Sequence, residues 1–180
     1  MNKSILSIAK RIFKDMKDRP TYSQIYETQK GNYCITNGYA LIDYGKNKDN
    51  IPRELQPYIN INEYIKPGID METLKNTNIE KTVDLKIIDL EKICKYNKAQ
   101  KEEKIFYVLD NKIMFNAETM LDFIKLSGII VNEIIIEYGN PTEPINMIFE
   151  NKNIKAMILP VFDEKIKEQN ISKFNKIMEV

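Results

Sequence analysis

Apolar residues recur at spacings of three and four over residues 4–18, where Ile5, Ile8, Ala9, Ile12, Phe13 and Met16 form one stripe. A helix is predicted there, stopped at Asp18-Arg19-Pro20 because the residue before a proline avoids the α region. The pattern then changes to Tyr- and Ile-rich runs at 23–28, 33–35 and 39–44. Gln29-Lys30-Gly31-Asn32 and Thr36-Asn37-Gly38 divide them with the Asn/Gly chemistry of hairpin turns. Over 45–80, Pro52, Pro57, Pro67, Gly68 and frequent Asn interrupt every period. That stretch reads as a connecting excursion with short helical turns near 52–58 and 70–75.

Order returns with a strand at 81–88 and a short helix at 89–99, with Asp89 at its N-cap and Leu90, Ile93 and Cys94 inward. Two strands at 105–109 and 112–115 flank the tight turn Asp110-Asn111. The helix at 117–127 has the fullest set of signals. Asn116 is its N-cap, Glu118 suits the positive end of its dipole, and Phe115 and Met120 occupy hydrophobic-staple positions. Gly128 closes it. Strands at 133–138, 145–150 and 154–159 follow, and from Asp163 the spacing of Ile166, Ile171, Phe174 and Ile177 predicts an amphipathic, partly docked helix.

The order helix, strand, strand, strand thus occurs at 4–44 and again at 117–159, an internal echo. One helix on one face of a small antiparallel sheet cannot bury that sheet, whereas two such units side by side can. The expected fold class is α+β: two helix-plus-antiparallel-meander repeats with both helices on one face of the sheet. Residues 1–162 form a single domain in this reading, with repeat one at 4–44, the excursion at 45–80, an extra strand and helix at 81–110 and repeat two at 111–162. Residues 163–180 form an amphipathic tail.

Composition narrows the functional classes. The 180 residues suffice for one domain with a proper core, and 43% hydrophobic with 29% charged residues describes an ordinary globular protein. Lys+Arg 27 against Asp+Glu 26 gives a net charge of +1, so any nucleic-acid affinity must come from a local basic face. One candidate exists: Lys3, Lys10, Lys14 and Lys17 share a face of the first helix with Arg11 beside them, diluted by Asp15 and Asp18. A merely solvated helix face would look the same. The absence of His removes the commonest general base and metal ligand. Cys34 and Cys94 form no CxxC pair and fit small buried residues in a reducing compartment. No phosphate loop, nucleophile–base pair or EF-hand spacing occurs. The expectation is therefore no enzyme, no cofactor and no metal. The N-terminal apolar run is too short for a signal peptide and no run reaches the ~18 residues of a membrane span, so a cytoplasmic protein without membrane contact is expected.

Three stretches carry a resemblance. Tyr33-Cys34-Ile35-Thr36-Asn37-Gly38-Tyr39-Ala40-Leu41 resembles the strand, Thr-Asp-Gly-Tyr/His and strand pattern of bacterial DNA polymerase sliding clamps, the β-subunit family. Phe115-Asn116 followed by Leu121-Asp122 is similar to the Phe-Asn-x-x-x-x-Leu-Asp opening of that family's final helix. The strand at 133–138, the strand after Pro144, and Ile154-Lys155-Ala156-Met157-Ile158-Leu159-Pro160-Val161 resemble its closing meander, which ends near Met-Pro-Met. Asn37 stands where the family has Asp, and Val161 is followed by Phe162-Asp163 where the family has Arg. A clamp subunit carries three domains of this kind, while this chain has residues for about one plus additions.

The resemblance implies a DNA-clamp-like domain without catalysis. Clamp helices line a central hole and present Lys and Arg to phosphates, which makes Lys3, Lys10, Arg11, Lys14 and Lys17 the implied DNA-facing set. Clamps also bind linear motifs of polymerases and repair proteins in an apolar groove beside the final strand. Carried over, Leu159, Pro160 and Val161 stand at its rim with Phe162 as an added wall, and the tail is a segment that can dock there. Leu159 and Val161 would serve equally as strand-end packing residues. The first functional reading is a small clamp-like accessory protein of a phage or mobile element, associating with double-stranded DNA or replication proteins. A ring of such subunits would need about six copies arranged head to tail. The second reading is a monomeric interaction module or inhibitor that keeps the fold without encircling DNA.

Overall fold

A computed structural model describes residues 4–60, 71–74, 78–100, 104–151 and 153–179. The chain opens with α1 (Ile5–Asp15), where the Ser4 hydroxyl caps the helix by accepting from the Ser7 amide at 3.2 Å. A first meander, β1 (Tyr26–Glu27), β2 (Tyr33–Thr36) and β3 (Ala40–Asp43), follows. Within the excursion lie a 3-10 turn, Arg53–Tyr58, and α2 (Met71–Leu74). Then come β4 (Lys81–Lys86), α3 (Ile87–Ala99), and the hairpin β5 (Tyr107–Leu109) and β6 (Ile113–Phe115). Next is α4 (Ala117–Leu126), capped by the Asn116 side chain, which accepts from the Thr119 amide at 3.0 Å. The chain ends in β7 (Glu133–Tyr138), β8 (Ile145–Ile148), β9 (Lys155–Ile158) and α5 (Glu164–Met178).

Among the described residues seven strands form one antiparallel sheet in the order β1-β2-β3-β9-β8-β7-β4. The first and last meanders therefore meet through β3 and β9, with Ala40 opposite Ile158 and Ile42 opposite Ala156. Alternation along the strands separates two apolar layers. Ile35, Ala40, Ile42, Ala156 and Ile158 join one large core with the buried residues of α1, α3 and α4. Cys34, Leu41 and Met157 face the other way into a small cluster with Tyr26 and with Met71 of α2. Both cysteines are buried, as their size and polarity suggest, and no disulfide joins them. β5 and β6 stand apart as a two-stranded hairpin, turning at Asp110 and Asn111 with φ of 51° and 55°, the left-handed pair that a tight hairpin turn requires.

Several boundaries move from the sequence expectation for tertiary reasons. The first strand shrinks from 23–28 to two residues because Ile25 pairs elsewhere. Its N–H donates to the Tyr58 carbonyl at 2.9 Å, and its carbonyl accepts from the Asn60 amide at 2.7 Å. Asp89 is not the cap of α3. The helix starts at Ile87 directly after β4, with Lys86 at the cap position and Asp89 inside the first turn. The Ile87 amide is satisfied by the Asn132 carbonyl at 2.8 Å, so the helix begins before the residue with the capping side chain. α1 ends at Asp15, which leaves Lys17 in the turn that follows.

The tail is a docked helix, and a polar residue centres the contact. Asn170, buried, accepts from the Phe106 amide at 2.7 Å and donates to the Phe106 carbonyl at 3.1 Å. Beside it the Phe174 ring meets the Tyr107 ring edge-on, with centroids 4.9 Å apart, and Tyr107 stacks in turn on Phe115. α5 thus packs on α3 and β5.

Candidate functional site

The helical periodicity of α1 sends Ile8, Ala9, Ile12 and Phe13 inward and leaves Lys10 and Lys14 exposed, one turn apart on the opposite side. Lys17 is exposed in the turn beyond. None of these three lysines is held by a carboxylate among the described residues. Lys3 lies outside those residues. Arg11 has a different environment: its guanidinium is paired with the carboxylate of Asp122 on α4, which is buried while Arg11 remains half in solvent. α4 itself lies against β3 and β9, flanked by α1 and α3, and presents little surface. Only its Glu118, Thr119 and Lys125 are even partly accessible. The exposed cationic face of the two helices therefore belongs to α1.

The second surface is assembled at the end of the β3–β9 seam. The Asn37 side-chain oxygen accepts from the amides of Tyr39 at 2.9 Å and Ala40 at 2.8 Å. The Thr36 hydroxyl donates to the Ala40 carbonyl at 2.8 Å and accepts from Gly38 N–H at 3.1 Å. Gly38 takes a left-handed φ of 85°, which a side chain would resist. An Asn in place of an Asp keeps the acceptor that shapes this loop. The loop pushes Tyr39 outward, 72% exposed. Across the seam, the Leu159 amide donates to the Tyr39 carbonyl at 2.7 Å, and the Val161 amide donates to Met114 of β6 at 2.7 Å. Leu159 and Phe162 are exposed, Phe162 at 64%, while Pro160 and Val161 are half-buried.

The structure therefore brings Leu159 of these four residues beside Tyr39, while Val161 pairs with Met114; the sequence reading has Tyr39 in the turn motif but not among the site residues. Its signal was a bulky aromatic directly after an Asn-Gly turn, a place where a side chain has no neighbour to pack on. The expectation that the tail docks at this rim is not met. Asn170 and Phe174 find their partners at Phe106 and Tyr107 instead, and Leu159 and Phe162 stay exposed.

Charge and burial fasten the surroundings. The Tyr44 hydroxyl, fully buried, donates to the Leu126 carbonyl at 2.8 Å and so ties the end of β3 to the end of α4. Burial pushes its phenol well above the ordinary range, with Cys34 adding to the shift. Asp110 accepts from the Lys81 ammonium at 2.5 Å and from the Tyr138 hydroxyl at 2.8 Å. The Lys81 bond, followed by that of Tyr138, holds the Asp110 carboxyl below its usual value. Tyr138 is raised, first by burial and then by the Asp110 bond. Together they anchor the β5–β6 turn to the edge of the large sheet. Among the described residues no group of three or more side chains is placed to hold a metal ion, and no helix is long and apolar enough to cross a membrane.

No protein-family model matches the chain, and no curated protein matches its sequence. Solved structures do. The β subunit of Streptococcus pyogenes DNA polymerase aligns with a TM-score of 0.57 at 14% identity, over 88% of this chain and 64% of that one. The DNA polymerase sliding clamp of Bacillus subtilis aligns with a TM-score of 0.54 at 12% identity, over 89% and 63%. The Pseudomonas aeruginosa clamp gives 0.51 at 14%, over 89% and 66%. The fold is similar to that of the bacterial sliding clamp. At these identities the likeness is one of architecture. The chain spans less than two thirds of the length of each of these clamps. In this clamp-like fold, Lys10, Lys14 and Lys17 are exposed at α1, and Tyr39, Leu159 and Phe162 are exposed at the end of the β3–β9 seam.

Proposed function

We propose that this chain is a non-enzymatic, sliding-clamp-like accessory protein of DNA replication, built from two helix-plus-meander repeats that carry their helices on one face of a shared sheet. The α1 face touches DNA phosphates through Lys10, Lys14 and Lys17, with Arg11 at its flank and Lys3 joined to the set by its sequence spacing alone. The rim of Tyr39, Leu159, Pro160, Val161 and Phe162 receives an apolar linear motif of a replication protein. The observation that carries the DNA reading is the line of exposed lysines, none of them ion-paired among the described residues although Asp15 and Asp18 lie beside them, at a helix of a clamp-like fold. Such contacts are independent of sequence and weaken steeply with salt. Titration of a long duplex against the protein at rising salt tests the reading. Lys10→Glu, Lys14→Glu and Lys17→Glu together should abolish the salt-sensitive binding, and a duplex affinity unchanged by this triple reversal rejects it.

A specific observation favours a second reading, in which the chain is a monomeric interaction module or inhibitor. A head-to-tail ring joined by sheet continuation needs a free strand at each edge. β4 presents one, but at the other edge β1 is two residues long, and the adjacent Ile25 already exchanges both backbone hydrogen bonds with residues 58–60. Light scattering of the isolated chain discriminates: a monomer that ignores duplex DNA belongs to this second reading. A stable oligomer whose DNA affinity follows the α1 lysines belongs to the first.

A further inference from the structure

A third surface is lined by none of Lys10, Lys14, Lys17, Tyr39 and Phe162. A cleft of about 460 Å3 opens between the start of α1, the start of α3 and the end of α4, a size at which small ligands and peptide side chains are held. Its walls are aliphatic, with Ile5, Ile87, Leu121 and Ile124 contributed by the three helices. The loop after α4 adds Ile129 and Ile130, and Ile130 stands 99% exposed at the mouth. Gly128 makes that loop possible: its φ is 74°, and a Cβ there would lie 3.2 Å from Pro52. Among the described residues three charged side chains reach the cleft: Glu54, Glu91 and Lys125. Lys125 already interacts within the protein, whereas Glu54 and Glu91 are exposed and take no partner among the described residues. Two helix N-termini also open here, but α3 carries Asp89 in its first turn and the C-terminal end of α4 opposes the other. The charge available to an incoming group is therefore carboxylate, set around an apolar floor.

We infer that this cleft is a docking site for a short peptide segment in which a large apolar side chain is flanked by Lys or Arg. The apolar residue enters between the helices and shields Ile130 from water, while the basic neighbours pair with Glu54 and Glu91 at the rim. The occupant is a cationic segment because an acidic one would bring its carboxylates against two uncompensated carboxylates, and a neutral one would leave them desolvated without partners. The inference rests on neither the DNA contact nor the seam rim, since none of the α1 lysines, Tyr39 or Phe162 lines the cleft.

The test uses the full chain, labelled with 15N, and two probes, acetyl-Lys-Leu-Phe-Lys-amide and acetyl-Glu-Leu-Phe-Glu-amide. The basic peptide should shift the amides of Ile5, Glu91 and Ile130 saturably, binding at least about tenfold more tightly than the acidic one. Glu54→Lys with Glu91→Lys should invert that preference. Both positions are exposed, so the melting temperature of this variant should stay at the parent value. A second variant, Ile130→Ser, should weaken both peptides alike. Equal affinity for the two peptides, no saturable shift at these amides, or a preference that survives the charge reversal overturns the inference. So does a shift of the same amides on concentrating the protein alone, which would mark a second copy as the occupant.

Discussion

The guanidinium of Arg11 is paired with the buried carboxylate of Asp122, joining α1 to α4 across 111 positions of sequence. This contact holds α1 against α4, the helix that lies over the seam of β3 and β9. Removing the arginine takes one partner away from a buried carboxylate, and such a loss exceeds the modest worth of an exposed pair. Arg11→Ala should therefore lower unfolding stability by about 1–2 kcal/mol. In a double-mutant cycle with Asp122→Ala the two losses should be clearly non-additive, as urea denaturation of the four proteins would show. Additive losses would mean that the pair contributes nothing.

The same contact separates Arg11 from the lysines near it. A side chain engaged by a buried carboxylate releases few counterions on meeting a phosphate, whereas Lys10, Lys14 and Lys17 are uncommitted. For duplex binding, each lysine changed to Ala should flatten the dependence of log affinity on log salt by about 0.9 if it meets one phosphate. Arg11→Ala should change that slope by much less once the stability loss is accounted for. Equal slopes for Arg11→Ala and Lys14→Ala would contradict this division of roles.

Alkaline solution should unfold the protein through its tyrosines. Burial raises the phenols of Tyr44 and Tyr138 well above the ordinary value and pushes Tyr107 up to about 12. A raised folded-state value means that the native state keeps its proton after the unfolded chain has released it. The stabilisation is thus complete below about pH 10 and is lost as pH climbs through and beyond that value. Tyr44→Phe should cost about 1–2 kcal/mol at neutral pH, because the Leu126 carbonyl loses its donor, yet make the alkaline decline shallower. On the acid side, the lowered Asp110 carboxyl adds stability that is present above about pH 4 and fades as pH falls through its folded-state value. Stability measured from about pH 3 to about pH 11 would show both limbs.

What was legible in the sequence was what neighbours decide. Asn116, Phe115, Met120 and Gly128 are within a turn of the helix they delimit, so α4 could be placed from its own letters. The Asp110-Asn111 turn was similarly local, and its left-handed pair follows from residue type. β1 was not, because Ile25 takes its partners from 58–60. Neither was the Arg11–Asp122 pair, since no spacing rule links a helix near the start of the chain to one past its middle. The tail's apolar period was readable, but its docking point was not. Asn170 is the residue that a periodicity argument discards as polar, and it makes the two bonds that set the position. At the seam, the exposure of Tyr39 and its bond to Leu159 depend on the pairing of β3 with β9, which no local pattern announces.

The rim should behave as a surface that binds without supporting the fold. Tyr39→Ala and Phe162→Ala remove exposed rings, so each should leave stability within about 0.5 kcal/mol of the parent. Each should nevertheless weaken a sliding-clamp-binding linear-motif peptide by about tenfold or more, read by fluorescence anisotropy. Retained peptide affinity in both variants would remove the rim from the proposed function.

The aromatic contact of α5 gives a prediction in which stability and titration must move together. Phe174 covers one side of Tyr107, and burial is the larger cause of that phenol's rise, with the charge of Asp89 second. Phe174→Ala should cost about 3 kcal/mol, because it opens a gap between α5 and the hairpin. It should also let water reach Tyr107, so the Tyr107 phenol falls from about 12 toward the ordinary value. Asn170→Ala should loosen the same helix through its backbone clamp to Phe106 while leaving the ring contact available. Tyrosinate absorbance across the alkaline range, compared with the Tyr107→Phe background, isolates the one phenol concerned. A Tyr107 value that stays high in Phe174→Ala would mean that α3 and the hairpin alone keep it dry, and that α5 stabilises without sealing the core.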